Sequence, residues 1–142
     1  MEKENKDQLI QIWESYTSHA EEITNKRQNI NTLFISIEIA ILGFIVYDLK
    51  ILGICLSIAG LIVSIAWVFM IISYRKLNSA KFEVINQIEE KMDIKPYKLE
   101  WDILKKKKYI KLTIIEMICS SIFALGFVIT FIISILKINN IL

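Results

Sequence analysis

The chain has 142 residues, 54% of them hydrophobic and 23% charged, with a net charge of +2, four glycines, one proline and two cysteines. That length holds one domain, and so few glycines and prolines exclude a many-stranded sandwich or barrel and any glycine-rich phosphate loop. The apolar residues are gathered into two long blocks, which excludes a soluble protein and makes helix the expected structure throughout.

In the N-terminal arm, residues 1–31, with an amphipathic helix expected over 7–31, Leu9, Trp13, Tyr16, Ala20, Ile23, Arg27 and Ile30 recur at alternating spacings of four and three. Such a heptad-like stripe predicts an amphipathic helix with a partner. The arm carries six acids against four bases, a poor match to an anionic lipid surface. No glycine or proline separates it from the block that follows, so a single helix from about Asp7 to Tyr47 is expected.

The first apolar block, Thr32 to Ser73, contains only Glu38, Asp48 and Lys50 as charged residues. It reads as a span over 32–49, a tight turn beside Leu49, and a span over 51–73, about 27 Å and about 35 Å long at the helical rise. Between Leu61 and Lys95 there is again no glycine or proline, and Leu77, Val84, Ile85, Ile88 and Met92 mark an apolar face beyond the membrane. The second span therefore continues as a helix over 74–95, pairing antiparallel with the first. Pro96 ends it, and 96–111 reads as a lysine-rich loop returning under the membrane, with Tyr97, Trp101 and Tyr109 interleaved. Topology and attraction to anionic headgroups explain these lysines without nucleic acid. The third span, 112–136, is about 37 Å long.

Of the seventeen lysines and arginines, eleven lie between Tyr74 and Lys111 and four in the arm, whereas Lys50 and Lys137 fall on the other side. The N terminus and the long loop are therefore expected in the cytoplasm and the short tail outside. Tyr47, Tyr74 and Tyr109 fall at the expected interfaces. The first thirty residues are polar, unlike a secretory signal, so the first span is expected to direct insertion itself. Cys55 and Cys119 fall at different depths and are expected as two free, buried thiols.

Helices associate in lipid through small residues. Ser36, Ala40 and Gly43 form one such seam, and Gly53, Ser57, Gly60 and Ser64 another; the two are expected to face each other. On the third span Gly126, Thr130 and Ser134 repeat at four and await a partner on the back of the hairpin or on a neighbouring protomer. Glu38 projects about 200° from Ser36 at 100° per residue, away from the second helix, and lies level with Ser64, Trp67 and the stretch from Cys119 through Ser120 to Ser121. A carboxyl at this depth needs a partner or water. Its expected partner is a third-span serine or another protomer; the sharper reading is a ring of Glu38 carboxylates around the axis of a symmetric oligomer, favouring cations in a pore. Glu116, near Lys108 and Lys111, reads as half of an interfacial ion pair.

No catalytic or metal-binding constellation is visible, since His19 is the only histidine and no nucleophile and base stand at a telling spacing. The carboxylates Glu89, Glu90 and Asp93 read as a solvated helix face. No reaction, metal or cofactor is assigned.

The segments Arg27 to Asn31, Leu77-Asn78-Ser79-Ala80-Lys81-Phe82-Glu83-Val84-Ile85, Pro96-Tyr97, Glu100-Trp101 and Tyr109 to Glu116 together resemble the RipA family of small octameric bacterial membrane proteins. The resemblance extends from about Tyr16 to Phe123, although a lysine run replaces a more glycine-containing linker before Tyr109 and the third span opens without a proline. It implies a homo-oligomer, eight subunits, in the cytoplasmic membrane. Of the matching residues, Arg27, Asn31, Asn78, Lys81, Glu100 and Trp101 lie where the long helices and the loop meet. A network of Arg27 and Lys81 with Glu100, or of Asn31 with Asn78, is expected to lock that junction, with a cytoplasmic ligand site there as the alternative.

The expected fold is thus an all-α integral membrane protein with three transmembrane helices, the first two extended into the cytoplasm as a long antiparallel hairpin. Three functions are compatible with it: a channel or pore-like octamer, a scaffold docking a cytoplasmic partner through the stripe from Leu9 to Ile30, and a membrane-disrupting effector of a bacterial defence system. The lipid bilayer, further copies of the chain and anionic lipid at the lysine-rich loop are the expected partners.

Overall fold

The computed structural model describes residues 2–47, 50–107 and 109–141. Their helices are α1 (Glu2–Tyr47), α2 (Ile51–Glu89), α3 (Pro96–Lys106) and α4 (Leu112–Ile138). The turn expected at Asp48 and Leu49, Lys108 of the lysine run and the side chain of Tyr47 lie outside the described residues.

Arm and first span form one helix of 46 residues, about 69 Å long. Its covered residues follow the stripe of the arm into the membrane: Arg27, Asn31, Phe34, Glu38, Ile41 and Ile45 recur at four and three. On α2 the same rhythm runs from Gly53 through Ser57, Gly60, Ser64, Trp67 and Ile71 to Tyr74 and Asn78. On α4 it links Thr113, Glu116, Ser120, Phe123, Phe127, Thr130 and Ser134. Each long helix thus buries one narrow heptad stripe, and α1, α2 and α4 are each long and apolar enough to cross a membrane.

The chain divides into two compact units, Met1–Arg27 with Ser73–Lys111 and Gln28–Ile72 with Leu112–Leu142. In the first, the polar unit, α2 stops at Glu89, six residues before the expected end, and 96–106 is helix rather than loop. The cause is Glu89. Pro96 occupies the first turn of α3, Lys95 offers no side-chain cap, and the buried Glu89 carboxylate accepts the Tyr97 and Lys98 backbone N–H groups at 3.0 and 3.3 Å. A negative charge at a helix N-terminus satisfies its free donors and its dipole together. The same carboxylate accepts the Trp13 indole N–H at 3.3 Å. Trp13 and Phe82 both lean on the Tyr97 ring, with centroids 6.0 and 5.5 Å away. Burial, and secondarily the charges of Glu100, Glu89 and Glu21, pushes the Tyr97 phenol up from its ordinary pKa.

Glu89 is therefore no solvated face, and its removal has a readable consequence. In Glu89→Ala, α3 loses its capping acceptor and Trp13 its partner, a cost of about 1–3 kcal/mol. Amide exchange over 96–106 is expected to accelerate at least tenfold, while Glu90→Ala, at an exposed position, leaves it unchanged.

The stripe from Leu9 to Ile30 is turned inward in this unit as far as Arg27, with Ala20 buried and Leu9, Trp13, Tyr16 and Ile23 half-buried. Over this length it packs within its own unit. Around it, Lys81 stands 5.5 Å over the Tyr16 ring. Lys26 pairs with Glu22 at 2.7 Å, which lowers the Glu22 carboxyl and raises the Lys26 ammonium from their ordinary values.

Candidate functional site

In the second unit, polar side chains tie three helices together in two tiers. In the upper tier Asn31 of α1 accepts the Trp67 indole N–H of α2 at 2.9 Å and donates its amide N–H to Glu116 of α4. Trp67 is 1% exposed, stacks on Phe34 with ring centroids 5.8 Å apart, and tilts against Phe123. Seven residues further along α1, Glu38 accepts the Ser64 hydroxyl at 2.8 Å, and Ser120 donates its own hydroxyl to the Ser64 backbone carbonyl at 3.1 Å. Ser64 is thus the link between a carboxyl on α1 and a hydroxyl on α4. Toward the far end Ser57 and Thr130 share a hydrogen bond of 2.8 Å, and Gly60 lies directly beneath the Phe127 ring.

This geometry corrects several expectations. Glu38 points at α2, not away from it, and its partner is Ser64 of the second span, not a serine of the third. Glu38 is 0% exposed, so its carboxyl is enclosed by its own chain and cannot stand in an axial ring without rearrangement. The seam of Ser36, Ala40 and Gly43 does not meet the seam of α2: all three residues are exposed, and nothing lies within 4 Å of a Cβ built on Gly43. The α2 seam packs instead on α4, through Ser57, Gly60 and Ser64. Thr130 and the buried Ser134 belong to that contact face, whereas Gly126 opens onto free space.

Ser36 and Ser121, both exposed, donate their hydroxyls to Thr32 and Met117 carbonyls of their own helices. Serines on an apolar helix face satisfy themselves in this way when no partner stands opposite. Neither thiol is buried, contrary to expectation: Cys55 is exposed, midway between Gly53 and Ser57 of the buried stripe, and Cys119 is half-covered, one step from Ser120.

The residues expected at a cytoplasmic junction do not form one network. Asn31, expected to pair with Asn78, spends both ends of its amide in the upper tier. Within the polar unit Arg27 is buried and Lys81 covers Tyr16. Glu100 and Trp101 are exposed on α3. The Asn78 side-chain oxygen is buried without a hydrogen-bond partner. Two residues to which sequence reasoning gave no site role carry much of the geometry, Trp67 and Glu89. Trp67 lies on the heptad stripe of α2, which was the signal that could have found it.

An all-helical chain with three apolar helices, tied to one another by polar side chains such as Glu38, Ser64 and Ser120, is a small multi-span membrane protein. More narrowly, it belongs to the octameric membrane protein family, 8xMP, whose sequence profile matches residues 10–136. Self-association into a homo-oligomer follows from that membership. Neither the curated proteins nor the solved structures gave a match.

Proposed function

We propose that the protein is a self-assembling structural scaffold of the bacterial cytoplasmic membrane, an octamer without catalytic activity whose N terminus and polar unit face the cytoplasm. The observation that carries this reading is the enclosure of Glu38. Glu38, the carboxyl deep in the apolar part of a span, is held by Ser64 inside the protomer, so it serves helix association. The faces left outward are apolar, with Ile37, Phe44, Ile62, Phe69, Ile122 and Leu125 exposed, as suits contact with lipid and with further copies. The lysine excess of the arm and of 74–111 supports the orientation.

Voltage-clamp recording on the octamer reconstituted in planar bilayers tests the reading against a channel. Currents no larger than those of lipid alone are expected, with wild type and Glu38→Gln alike. Unitary currents that vanish in a Glu38→Leu variant still running as an octamer would overturn it in favour of a pore.

A further inference from the structure

The polar unit carries two exposed faces of opposite charge. The first lies on the arm. Beside the inward stripe, Asp7, Ile10, Glu14, Thr17 and Glu21 follow one another at three and four residues and line one face of α1 over about 21 Å. Asp7, Glu14 and Glu21 are exposed, and Ile10 between them is 43% exposed. Two bases of the arm are drawn elsewhere, Lys6 to Asp93 at 3.5 Å and Lys26 to Glu22 at 2.7 Å.

The second face lies on α3, none of whose eleven residues is buried. Tyr97 and Leu104 turn inward, half-buried, toward the cluster with Trp13 and Phe82. At about 100° per residue Leu99, Ile103 and Lys106 project to the opposite side, flanked by Lys98 and Lys107. Leu99 and Ile103 are 62% and 46% exposed. Residues 95–111 contain seven lysines against two acids, Glu100 and Asp102, and Asp102 is engaged by Lys105 at 3.9 Å. The two faces also share a height. Tyr97 rests on Trp13, which sets α3, about 16 Å long, beside the section of arm between Asp7 and Glu21. The chain belongs to a self-associating family, and copies inserted alike in one membrane are related by rotation about its normal, which keeps each residue at one height in every copy. The acidic stripe of one copy is therefore level with α3 of the next.

We propose that α3 of each copy docks on the acidic stripe of the next copy's arm, with Leu99 and Ile103 against Ile10, and Lys98, Lys106 and Lys107 paired with Asp7, Glu14 and Glu21. An apolar centre rimmed by complementary charge is the make-up of a specific contact between proteins, in which the charges fix register and exclude wrong pairings. Two different faces meet, so the contact is heterologous and repeats around a closed ring. The inference rests on self-association within one membrane and is independent of whether the octamer conducts.

The test uses the full chain in its membrane. Two differently tagged versions, both Cys55→Ser and Cys119→Ser, one with Ile10→Cys and the other with Leu99→Cys, are co-expressed and treated with a short bismaleimide. A product joining the two tags is a contact between copies, and it is expected. Its yield falls about tenfold when the first chain also carries Asp7/Glu14/Glu21→Lys, since like charges then face each other, and recovers when the second carries Lys98/Lys106/Lys107→Glu as well. That recovery also shows that the first reversal leaves the chain folded. Absence of a joined product, with the octamer still recovered by size exclusion, overturns the proposal. So does a yield that ignores both reversals, or an equal yield from Gln8→Cys, which lies on the other side of the arm.

Discussion

Replacing Gly60 by leucine is expected to separate the second and third spans. A Cβ at this position would lie 2.3–2.5 Å from three atoms of the Phe127 ring, well inside contact distance. Phe127 is 0% exposed, so its ring is close-packed and moving it aside disturbs its neighbours. Even Gly60→Ala is therefore costly, by about 1–3 kcal/mol, and leucine exceeds it. Thermal denaturation of the octamer in detergent reads the loss, and Gly60→Ala combined with Phe127→Leu should recover part of it. Gly43→Ala and Gly126→Ala are the controls, since nothing lies within 4 Å of a Cβ at either position. A loss of octamer in either control, with the protomer still folded, would place that glycine at a contact between copies.

Gly43 and Gly60 also show where sequence reasoning stops. Both sit in seams of small residues, and both announce close approach of a helix. Composition does not say which helix. Taking the α1 seam as the inner face turned Glu38 outward, because Glu38 and Ser36 lie on opposite sides of α1. The arm held the better guide. Its stripe, followed past Arg27 at the same spacing, reaches Asn31, Phe34 and Glu38 and places all three inward, as the structure has them. Three spans, the unbroken first helix and the depth shared by Glu38, Ser64 and Ser120 were legible because each rests on periodicity or helical rise. The fate of Glu89 was not, since a carboxylate that caps another helix has the same local sequence as one in solvent. Nor was α3, whose lysine run and preceding proline read as loop although Pro96 stands at the first helical turn, where proline is well tolerated.

The two tiers of the polar cluster make unequal demands, and this predicts an order among their variants. Glu38→Gln keeps an acceptor for the Ser64 hydroxyl, so its cost is small, and Ser64→Ala removes one hydrogen bond worth about 0.6–2 kcal/mol between helices in lipid. Asn31→Leu is the severe one. It takes the acceptor from the Trp67 indole N–H, which is buried against Phe34 and Phe123, and it removes a donor from Glu116 on α4. Leaving a buried donor unsatisfied costs about 1–3 kcal/mol, whereas removing both partners of a hydrogen bond together is nearly neutral when the shape is kept. A double-mutant cycle of Asn31→Leu with Trp67→Phe separates these terms. The second substitution removes the donor and keeps most of the ring, so the double variant should be more stable than the sum of the single losses, by about 1 kcal/mol. Additivity within about 0.3 kcal/mol would mean that Asn31 and Trp67 are each satisfied by water at the membrane surface, and that the upper tier does not hold the spans together.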